Sequence, residues 1–289
     1  MGYKEIYNEK RAKVEEYLHK IMDSVKDNYL IKEAMEYSLF AGGKRVRPVL
    51  SMAVCELLGG NEEKVLPFAS AIELIHTYSL IHDDLPCMDD DDLRRGMPTS
   101  HKKFGENIAV LTGDALQALA FEVMAQTDEE PIIVLECIRT VSVAAGISGM
   151  VGGQELDLLS PRETPQQLER IDLLKTGALI AASCWLGAIV AGCDIEGFQK
   201  VGGYAKNIGL AFQVKDDILD ATGTREETGK SVGTDEKKGI KTYASLFGVK
   251  EANKLLESYI EEAKANINEF GEKAAFLRDL ASFLQERKS

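Results

Sequence analysis

The 289-residue sequence lacks the patterns of several classes of protein. Its five cysteines are scattered and form no CxxC pair, so neither a disulfide framework nor a zinc site is predicted, and a cytoplasmic location is expected. The charged N-terminal segment contains no apolar stretch typical of a secretory signal. Residues 177–193 are uncharged, but these 17 residues are fewer than the ~20 that a membrane-spanning helix needs. We expect them to form the buried central helix of a soluble bundle, with no membrane contact.

Positive charge is also scarce. There are 34 Lys and Arg residues against 47 Asp and Glu, a net charge of −13, which disfavours nucleic-acid binding because phosphate contacts depend on clustered Lys and Arg. The acidic excess is concentrated in two places. Six of the ten residues from Asp83 to Asp92 are aspartate, and Asp216, Asp217 and Asp220 form a second cluster.

The sequence predicts an all-α fold. Proline is absent after Pro165, and alternating β-branched runs are absent throughout. Glycine- and proline-containing breaks separate about ten helices, and no linker is long or polar enough to divide residues 1–289 into two domains. The glycines at 146, 149, 152 and 153 lie in otherwise helical sequence, where each costs about 1 kcal/mol relative to alanine. We expect close approach between helices to compensate this cost.

The first aspartate cluster follows an apolar helical segment. Pro86 disfavours helical geometry at Leu85, so the helix is expected to end close to Asp83 and Asp84. A helix C-terminus carries partial negative charge, and each carboxylate placed there costs from a few tenths to about 1 kcal/mol. A cationic group is therefore expected at this edge of the core; the alternative is a solvated acidic loop.

The second aspartate cluster is predicted to lie on one helix face. Asp216 and Asp220 are four residues apart, and Gln213 precedes Asp216 by three, so the three side chains share a face. Either this face is well solvated or a divalent cation bridges it. Oxygen-only donors point to a hard ion such as Mg²⁺, and the spacing of a calcium-binding EF-hand is missing.

Basic residues occur in three groups: residues 42–48 (GGKRVRP) at a probable helix start, Arg94 with Arg95, and Lys230. Backbone N–H groups at a helix start also favour an anion. Residues 223–231 match the sequence pattern of a phosphate-binding Walker A loop. We reject that assignment because the segment before it is predicted to be a helix rather than the required strand.

Together these features resemble the trans-isoprenyl diphosphate synthases. The segment IHTYSLIHDDLPCMDDDDLRRG is similar to the first aspartate-rich motif of the bacterial farnesyl diphosphate synthases, in its DDxxxxD form. The resemblance continues through GGKRVRP, GGQELDL, KTG, FQVKDDILD and the GK at Gly229, and so covers most of the chain. Each piece is weak alone, whereas their joint occurrence is specific.

The resemblance implies an all-α bundle around a deep apolar pocket with the two aspartate clusters at its mouth. It also implies three Mg²⁺ ions, held by Asp83, Asp84, Asp89, Asp216 and Asp220. Whether the aspartates at 90 to 92 also bind metal stays open. The implied partners are small diphosphate substrates and a second copy of the chain in a homodimer.

The implied reaction condenses isopentenyl diphosphate with dimethylallyl and geranyl diphosphate to give farnesyl diphosphate. Residues matching those that contact the allylic diphosphate or its metals are Arg94, Lys175, Gln213 and Lys230. Thr176 matches a residue near the developing carbocation, and with Arg94, Lys175 and Lys230 it makes up the expected catalytic set. The matching pocket for isopentenyl diphosphate consists of Lys44, Arg47, His76 and Arg95.

Product length is expected to depend on Tyr78, five residues before Asp83. In the family a large aromatic residue at this position stops growth at fifteen carbons; ordinary core packing is the alternative. A geranylgeranyl diphosphate synthase remains an alternative enzyme, and a non-catalytic partner subunit an alternative of another class. The alternative roles of His76 and His82 are structural hydrogen bonds.

Overall fold

The computed structural model describes residues 2–26, 29–223 and 241–287, and this part of the chain is almost entirely helical, as predicted. The first half contains α1 (Tyr3–Ser24), α2 (Leu30–Leu39), α3 (Val46–Leu57), α4 (Glu62–Asp83), α5 (Ser100–Phe104), α6 (Glu106–Ala125) and α7 (Pro131–Ala145). The second half contains α8 (Met150–Leu159), α9 (Pro165–Asp172), a π-helix (Leu173–Gly177), α10 (Ala178–Ala191), α11 (Ile195–Thr222), α12 (Tyr243–Phe247), α13 (Val249–Asn266), a 3₁₀ segment (Asn268–Ala274) and α14 (Ala275–Glu286).

Two apolar clusters hold the helices together. The first joins α1, α2, α4, α6 and α7, and the second joins α3, α10, α11, α13 and α14. α10 packs between them, against α3, α4, α7 and α11. Gly187 allows this packing because a Cβ there would lie 2.4 Å from the carbonyl oxygen of Ser51 on α3. The expectation that residues 177–193 supply a buried helix is confirmed for the span of α10.

Three helical stretches, the last of which includes α10, bury their apolar residues only in part. By length and composition, three helical stretches of the described chain are able to cross a membrane: Glu106–Ala125, Pro131–Leu159 and Pro165–Ala191. Only 33%, 28% and 50% of their apolar windows are buried inside the protein. The absence of membrane contact therefore stays a prediction.

The helix boundaries that matter for the two acidic clusters agree with the sequence. α4 ends at Asp83, just before Pro86, as expected from the geometry that a proline imposes on the residue before it. α11 runs without a break to Thr222. A helix rather than a strand thus precedes residues 223–231, which supports the rejection of a Walker A loop. Of those nine residues only Gly223 lies within the described ranges.

A short hairpin was not predicted. Two-residue strands, β1 (Leu93–Arg94) and β2 (Met97–Pro98), pair antiparallel. Arg95 and Gly96 form the turn, with φ angles of 53° and 77°. Positive φ at both turn residues matches the twist of a two-residue hairpin. The strands are too short to produce an alternating pattern, but the turn places Arg94 back against the end of α4.

Candidate active site

One cavity of about 1630 Å³ opens beside the ends of α3 and α4. Its walls come from α3, α4, the loop after α4, α6, α8, the π-helix and α11. Twelve of the predicted site residues line it: Lys44, Arg47, His76, Tyr78, Asp83, Asp89, Arg94, Arg95, Lys175, Thr176, Gln213 and Asp216. Asp84 and Asp220 are described but are not part of its wall. Lys230 lies outside the described residues.

The first aspartate cluster forms one side of the cavity. Burial, offset in part by Lys175, raises the pKa of Asp83 to about 6, and the charge of Asp89 adds to the rise. Asp84 is 3% exposed and accepts hydrogen bonds from Nε of Arg94 at 2.7 and 2.9 Å. The cationic group expected at the end of α4 is thus Arg94, which pairs with Asp84. Asp83 differs from Asp84 because burial destabilises its charged form.

The second aspartate cluster meets the C-terminus of the described chain. The guanidinium of Arg287, just beyond α14, donates to Asp216 and also to the carbonyl oxygen of Phe212 at 3.0 Å. Sequence reasoning missed Arg287, because 71 residues separate it from Asp216 and no local pattern links the two. Asp220 lies one helical turn beyond Asp216 and away from the cavity wall.

A group of cations forms another side of the cavity. Burial lowers the pKa of Arg47 and Arg95, and burial together with the charge of Arg287 lowers the pKa of Lys44. The buried Nε of Arg47 has no hydrogen-bond partner within the described chain. A buried donor without a partner, such as Nε of Arg47, and positive charges that destabilise one another are properties of a site that binds an anion.

Not every residue of the basic segment contributes to this anion site. The side chain of Arg45 turns into the core, where it donates to Glu15 and Glu73 at 2.9 Å each. Its backbone has φ of 55°, which turns the chain into α3. Burial, followed by the charges of Arg47 and other arginines, lowers the pKa of His76 well below its usual range, so His76 is neutral at pH 7.

The π-helix places Lys175 and Thr176 at the cavity. Nζ of Lys175 lies 2.6 Å from a carboxylate oxygen of Asp157, and the hydroxyl of Thr176 donates to Oε1 of Gln213 at 3.2 Å. A Cβ at Gly153 would lie 2.2 Å from the backbone nitrogen of Lys175. The expected close approach at the glycines of α8 is therefore confirmed there, and a π-helix in an α-helical setting often marks a functional site.

A buried carboxyl, Asp172, lies directly before the π-helix. It is 8% exposed and lines the cavity. Burial, and then the charge of Asp217, raises the pKa of Asp172 to about 8. Asp172 is therefore largely protonated at neutral pH. No spacing or motif in the sequence singles it out.

Tyr78 lies on the inner wall of the cavity. It is 5% exposed, and its ring meets that of His82 edge to face at a centroid distance of 5.8 Å. The ring of His82 is fixed by a 3.0 Å hydrogen bond to the carbonyl oxygen of Val110, over the bare backbone of Gly113. The structural role considered for His82 agrees with this contact. The contact with His82 thus holds the Tyr78 ring in place in the cavity wall.

The donors available for Mg²⁺ are of the right chemical type. Asp83, Asp89 and Asp216 offer carboxylate oxygens to one cavity, and Mg²⁺ binds through a few carboxylates plus substrate phosphates. Within the described ranges, no three or more His, Cys, Asp or Glu side chains are already grouped to hold an ion. Of these three carboxylates, Asp216 is paired with Arg287, while Arg94 is paired with the neighbouring Asp84. The donor chemistry fits the ion, although the described residues do not by themselves bring three such ligands together.

This helical bundle, with carboxylates and cations facing one apolar-walled cavity, has the architecture of an isoprenoid synthase. The family model for polyprenyl synthetases matches residues 28–276, and the chain belongs to this family. It is a prenyltransferase of the trans-isoprenyl diphosphate synthase type.

Relatives differ in the product that their names state. The chain is 45% identical over 286 residues to a geranylgeranyl diphosphate synthase of Cyanophora paradoxa, covering 97% of this chain and 95% of the relative. It is 44% identical over 287 residues to a heterodimeric geranylgeranyl pyrophosphate synthase large subunit of Arabidopsis thaliana, covering 95% and 77%. The crystal structure of an FPP/GFPP synthase of Zymomonas mobilis matches with a TM-score of 0.85 at 36% identity, covering 98% and 97%.

Proposed function

We propose that this prenyltransferase condenses isopentenyl diphosphate with dimethylallyl and then geranyl diphosphate, and that its main product is the C15 compound farnesyl diphosphate. The observation that carries the product length is the position of Tyr78, buried in the cavity wall five residues before Asp83. A growing apolar chain that reaches this ring has to stop or displace it.

Departure of the allylic diphosphate requires stabilisation of its negative charge. Lys175 and Arg94 line the cavity on the side of Asp83, and a positive charge close to the leaving oxygens lowers the barrier to C–O cleavage. Mg²⁺, when held by Asp83, Asp89 and Asp216, supplies a Lewis acid for the same diphosphate. The predicted ligands Asp84 and Asp220, and the predicted contact Lys230, remain part of this proposal.

The second diphosphate fits the cationic side of the cavity. Lys44, Arg47 and Arg95 supply positive charge there, and the unpartnered Nε of Arg47 is a donor that a phosphate oxygen satisfies. His76 is held neutral and so acts as a hydrogen-bond partner rather than as a further cation. Binding of isopentenyl diphosphate at this side leaves its alkene free to meet the allylic carbon.

The remaining wall protects the reactive carbon. Leu85, Met88, Met150 and Phe212 present apolar surface to the cavity. An allylic cation reacts with any nucleophile it meets, so a dry apolar wall favours attack by the alkene over attack by water. The departed diphosphate accepts the proton lost in the last step, and no protein base is required.

A C20 product is the second candidate, and the names of the relatives support it more directly than the C15 product. Both sequence relatives above are named for geranylgeranyl diphosphate. Among the described residues, Tyr78 is the one that carries the C15 assignment. Farnesyl diphosphate stays a prediction until the product is measured.

Substitution of Tyr78 tests the role on which the C15 product is proposed. Tyr78→Ala removes the ring from the wall and is expected to shift the products to C20 or longer, measured by chromatography after incubation with isopentenyl and geranyl diphosphates. Tyr78→Phe keeps the ring and is expected to keep the C15 product. Identical product lengths for Tyr78→Ala and the unmodified chain would refute the role of Tyr78.

We also propose that the chain forms a homodimer in the cytoplasm. Apolar side chains are exposed along α6, α7 and the turn that follows: Leu111 (46%), Ile132 (58%), Leu135 (58%), Val143 (54%) and Ile147 (81%). Exposed apolar surface of this extent is typical of an interface. Light scattering after gel filtration tests the mass: twice 31.8 kDa supports the proposal, and 31.8 kDa contradicts it.

A non-catalytic partner subunit remains the alternative from another class. Such a subunit is expected to have lost one aspartate cluster, whereas Asp83, Asp89 and Asp216 all line the cavity. Turnover by the purified chain alone decides the question. Activity that requires an added second protein would favour the partner-subunit alternative.

A further inference from the structure

A row of hydrogen bonds leads from the cavity to a buried carboxylate. The hydroxyl of Thr176 donates to Oε1 of Gln213 at 3.2 Å, and Nε2 of Gln213 donates to Oδ1 of Asp217 at 3.0 Å. The other oxygen of Asp217, Oδ2, accepts the backbone N–H of Tyr243 at 3.0 Å. Asp217 is 5% exposed, and it joins the π-helix side of the cavity to the start of α12.

The chemistry of these groups fixes the direction of every bond in the row. The N–H of Tyr243 only donates, and a carboxylate only accepts, so Asp217 has to face the amide nitrogen of Gln213. The amide oxygen of Gln213 is then the atom left for Thr176, whose hydroxyl has to donate to it. With its proton committed to Gln213, the Thr176 oxygen has only lone pairs left to present to the cavity.

We propose that Asp217 is a positioning residue for prenyl transfer: it orients the Gln213 carboxamide and thereby makes Thr176 present oxygen lone pairs, rather than a proton, to the carbon that becomes positive. A fixed partial negative charge stabilises positive charge that develops in a dry cavity. The proposal rests on the prenyltransferase activity and holds for a C15 or a C20 product.

The role proposed for Asp217 differs from the metal binding expected of its neighbours. The expected metal ligands of this cluster are Asp216 and Asp220, and both carboxylate oxygens of Asp217 face protein donors. A purely structural role, as an anchor for α12, would use only the bond to Tyr243. The bond to Gln213 is what links Asp217 to the reacting side of the cavity.

Asp217→Asn reverses the row while keeping its shape. The Asn oxygen is required by the N–H of Tyr243, so the Asn NH₂ group faces Gln213 and the Gln213 amide turns over. Thr176 then accepts from Gln213 and directs its proton into the cavity. Mutation of an outer-shell residue that orients a metal ligand typically costs about 10–100-fold in activity, and we take the same range for misorientation of the Thr176 hydroxyl. We expect kcat to fall by about that factor, with KM for both substrates within about threefold and an unchanged Mg²⁺ requirement.

Thr176→Val provides the background in which the effect has to vanish. If Asp217 acts through the Thr176 hydroxyl, Asp217→Asn is expected to change the kcat of Thr176→Val by less than about twofold. An equal fold-loss in both backgrounds would overturn the proposal, because Asp217 would then act independently of Thr176. So would an unchanged kcat for Asp217→Asn, or a loss recovered by excess Mg²⁺.

The double substitution Asp217→Asn with Gln213→Glu guards against misfolding of the single variant. It conserves the charge of the row, and the Glu carboxylate accepts from both the Asn NH₂ group and Thr176, so the original direction of the hydroxyl returns. We expect the kcat of the double variant to be at least about tenfold higher than that of Asp217→Asn. If Asp217→Asn does not fold, the comparator is the double variant Asp217→Asn with Gln213→Leu, and the same factor is expected. A double variant no faster than its comparator would refute the proposal.

Discussion

The contact between Gly153 and the π-helix allows a quantitative prediction for Gly153→Ala. A Cβ at this position would lie 2.2 Å from the backbone nitrogen and 2.6 Å from Cα of Lys175, whereas ordinary contact begins near 3.4 Å. Cβ contacts under 3.0 Å are essentially not seen, so backbone at Lys175 then has to move by between 3.0 − 2.2 = 0.8 Å and 3.4 − 2.2 = 1.2 Å. A displacement of about 1 Å at a reacting group costs on the order of 100-fold in rate. Overpacking adds a loss of about 1–3 kcal/mol in stability, offset in part by the better helix propensity of alanine.

Steady-state kinetics and thermal unfolding measure the two effects. Gly202→Ala is the matched control, because Gly202 also lies within a helix, and a Cβ there meets only Nε1 of Trp185 at 3.6 Å. We expect the control to keep its activity and its melting temperature. Wild-type kcat in Gly153→Ala would show that the fit between α8 and the π-helix does not position Lys175 and Thr176.

Three further predictions concern buried contacts. Burial raises the pKa of Asp172 to about 8, so the folded state keeps a proton that the unfolded state releases near pH 4, and stability is lost as pH rises between these values. The melting temperature of Asp172→Asn relative to the unmodified chain should therefore increase from pH 5 to pH 8, and a difference that does not depend on pH would contradict this. Arg287 and Mg²⁺ are expected to compete for Asp216, so Arg287→Gln should lower the Mg²⁺ concentration needed for half-maximal thermal stabilisation. An unchanged or higher concentration would be inconsistent with this competition. Gly113→Ala places a Cβ 2.1 Å from Nε2 of His82, at the far end of that side chain. The ring then has to leave its hydrogen bond to Val110, at a cost of about 0.5–1.5 kcal/mol in denaturant unfolding that the helix propensity of alanine offsets in part; a stability gain equal to the full propensity difference would refute the contact.

Local patterns predicted the helical framework of the site well. Pro86 fixed the end of α4 at Asp83, and three- and four-residue spacing placed Gln213 and Asp216 together at the cavity. Glycines within α8 were correctly expected to allow close helix approach, as at Gly153. In each case the physical cause lies within a few residues of its effect.

Contacts between distant segments were not predictable in this way. Arg287 reaches Asp216 across 71 residues, and Arg94 reaches Asp84 only because an unpredicted turn folds the hairpin back. The π-helix is equally invisible in the sequence, since its extra residue per turn leaves no periodic signature over five residues. The pairing of Asp84 with Arg94 and of Asp216 with Arg287 is therefore a finding of the structure.

The product formed from isopentenyl and geranyl diphosphates in the presence of Mg²⁺ tests the central claim most directly. Chromatography of the products of the unmodified chain should show farnesyl diphosphate as the main species if Tyr78 limits chain growth as we propose. A main product of twenty or more carbons would contradict the limit set by Tyr78. Failure to condense the two substrates at all would contradict the assignment of this cavity to prenyl transfer.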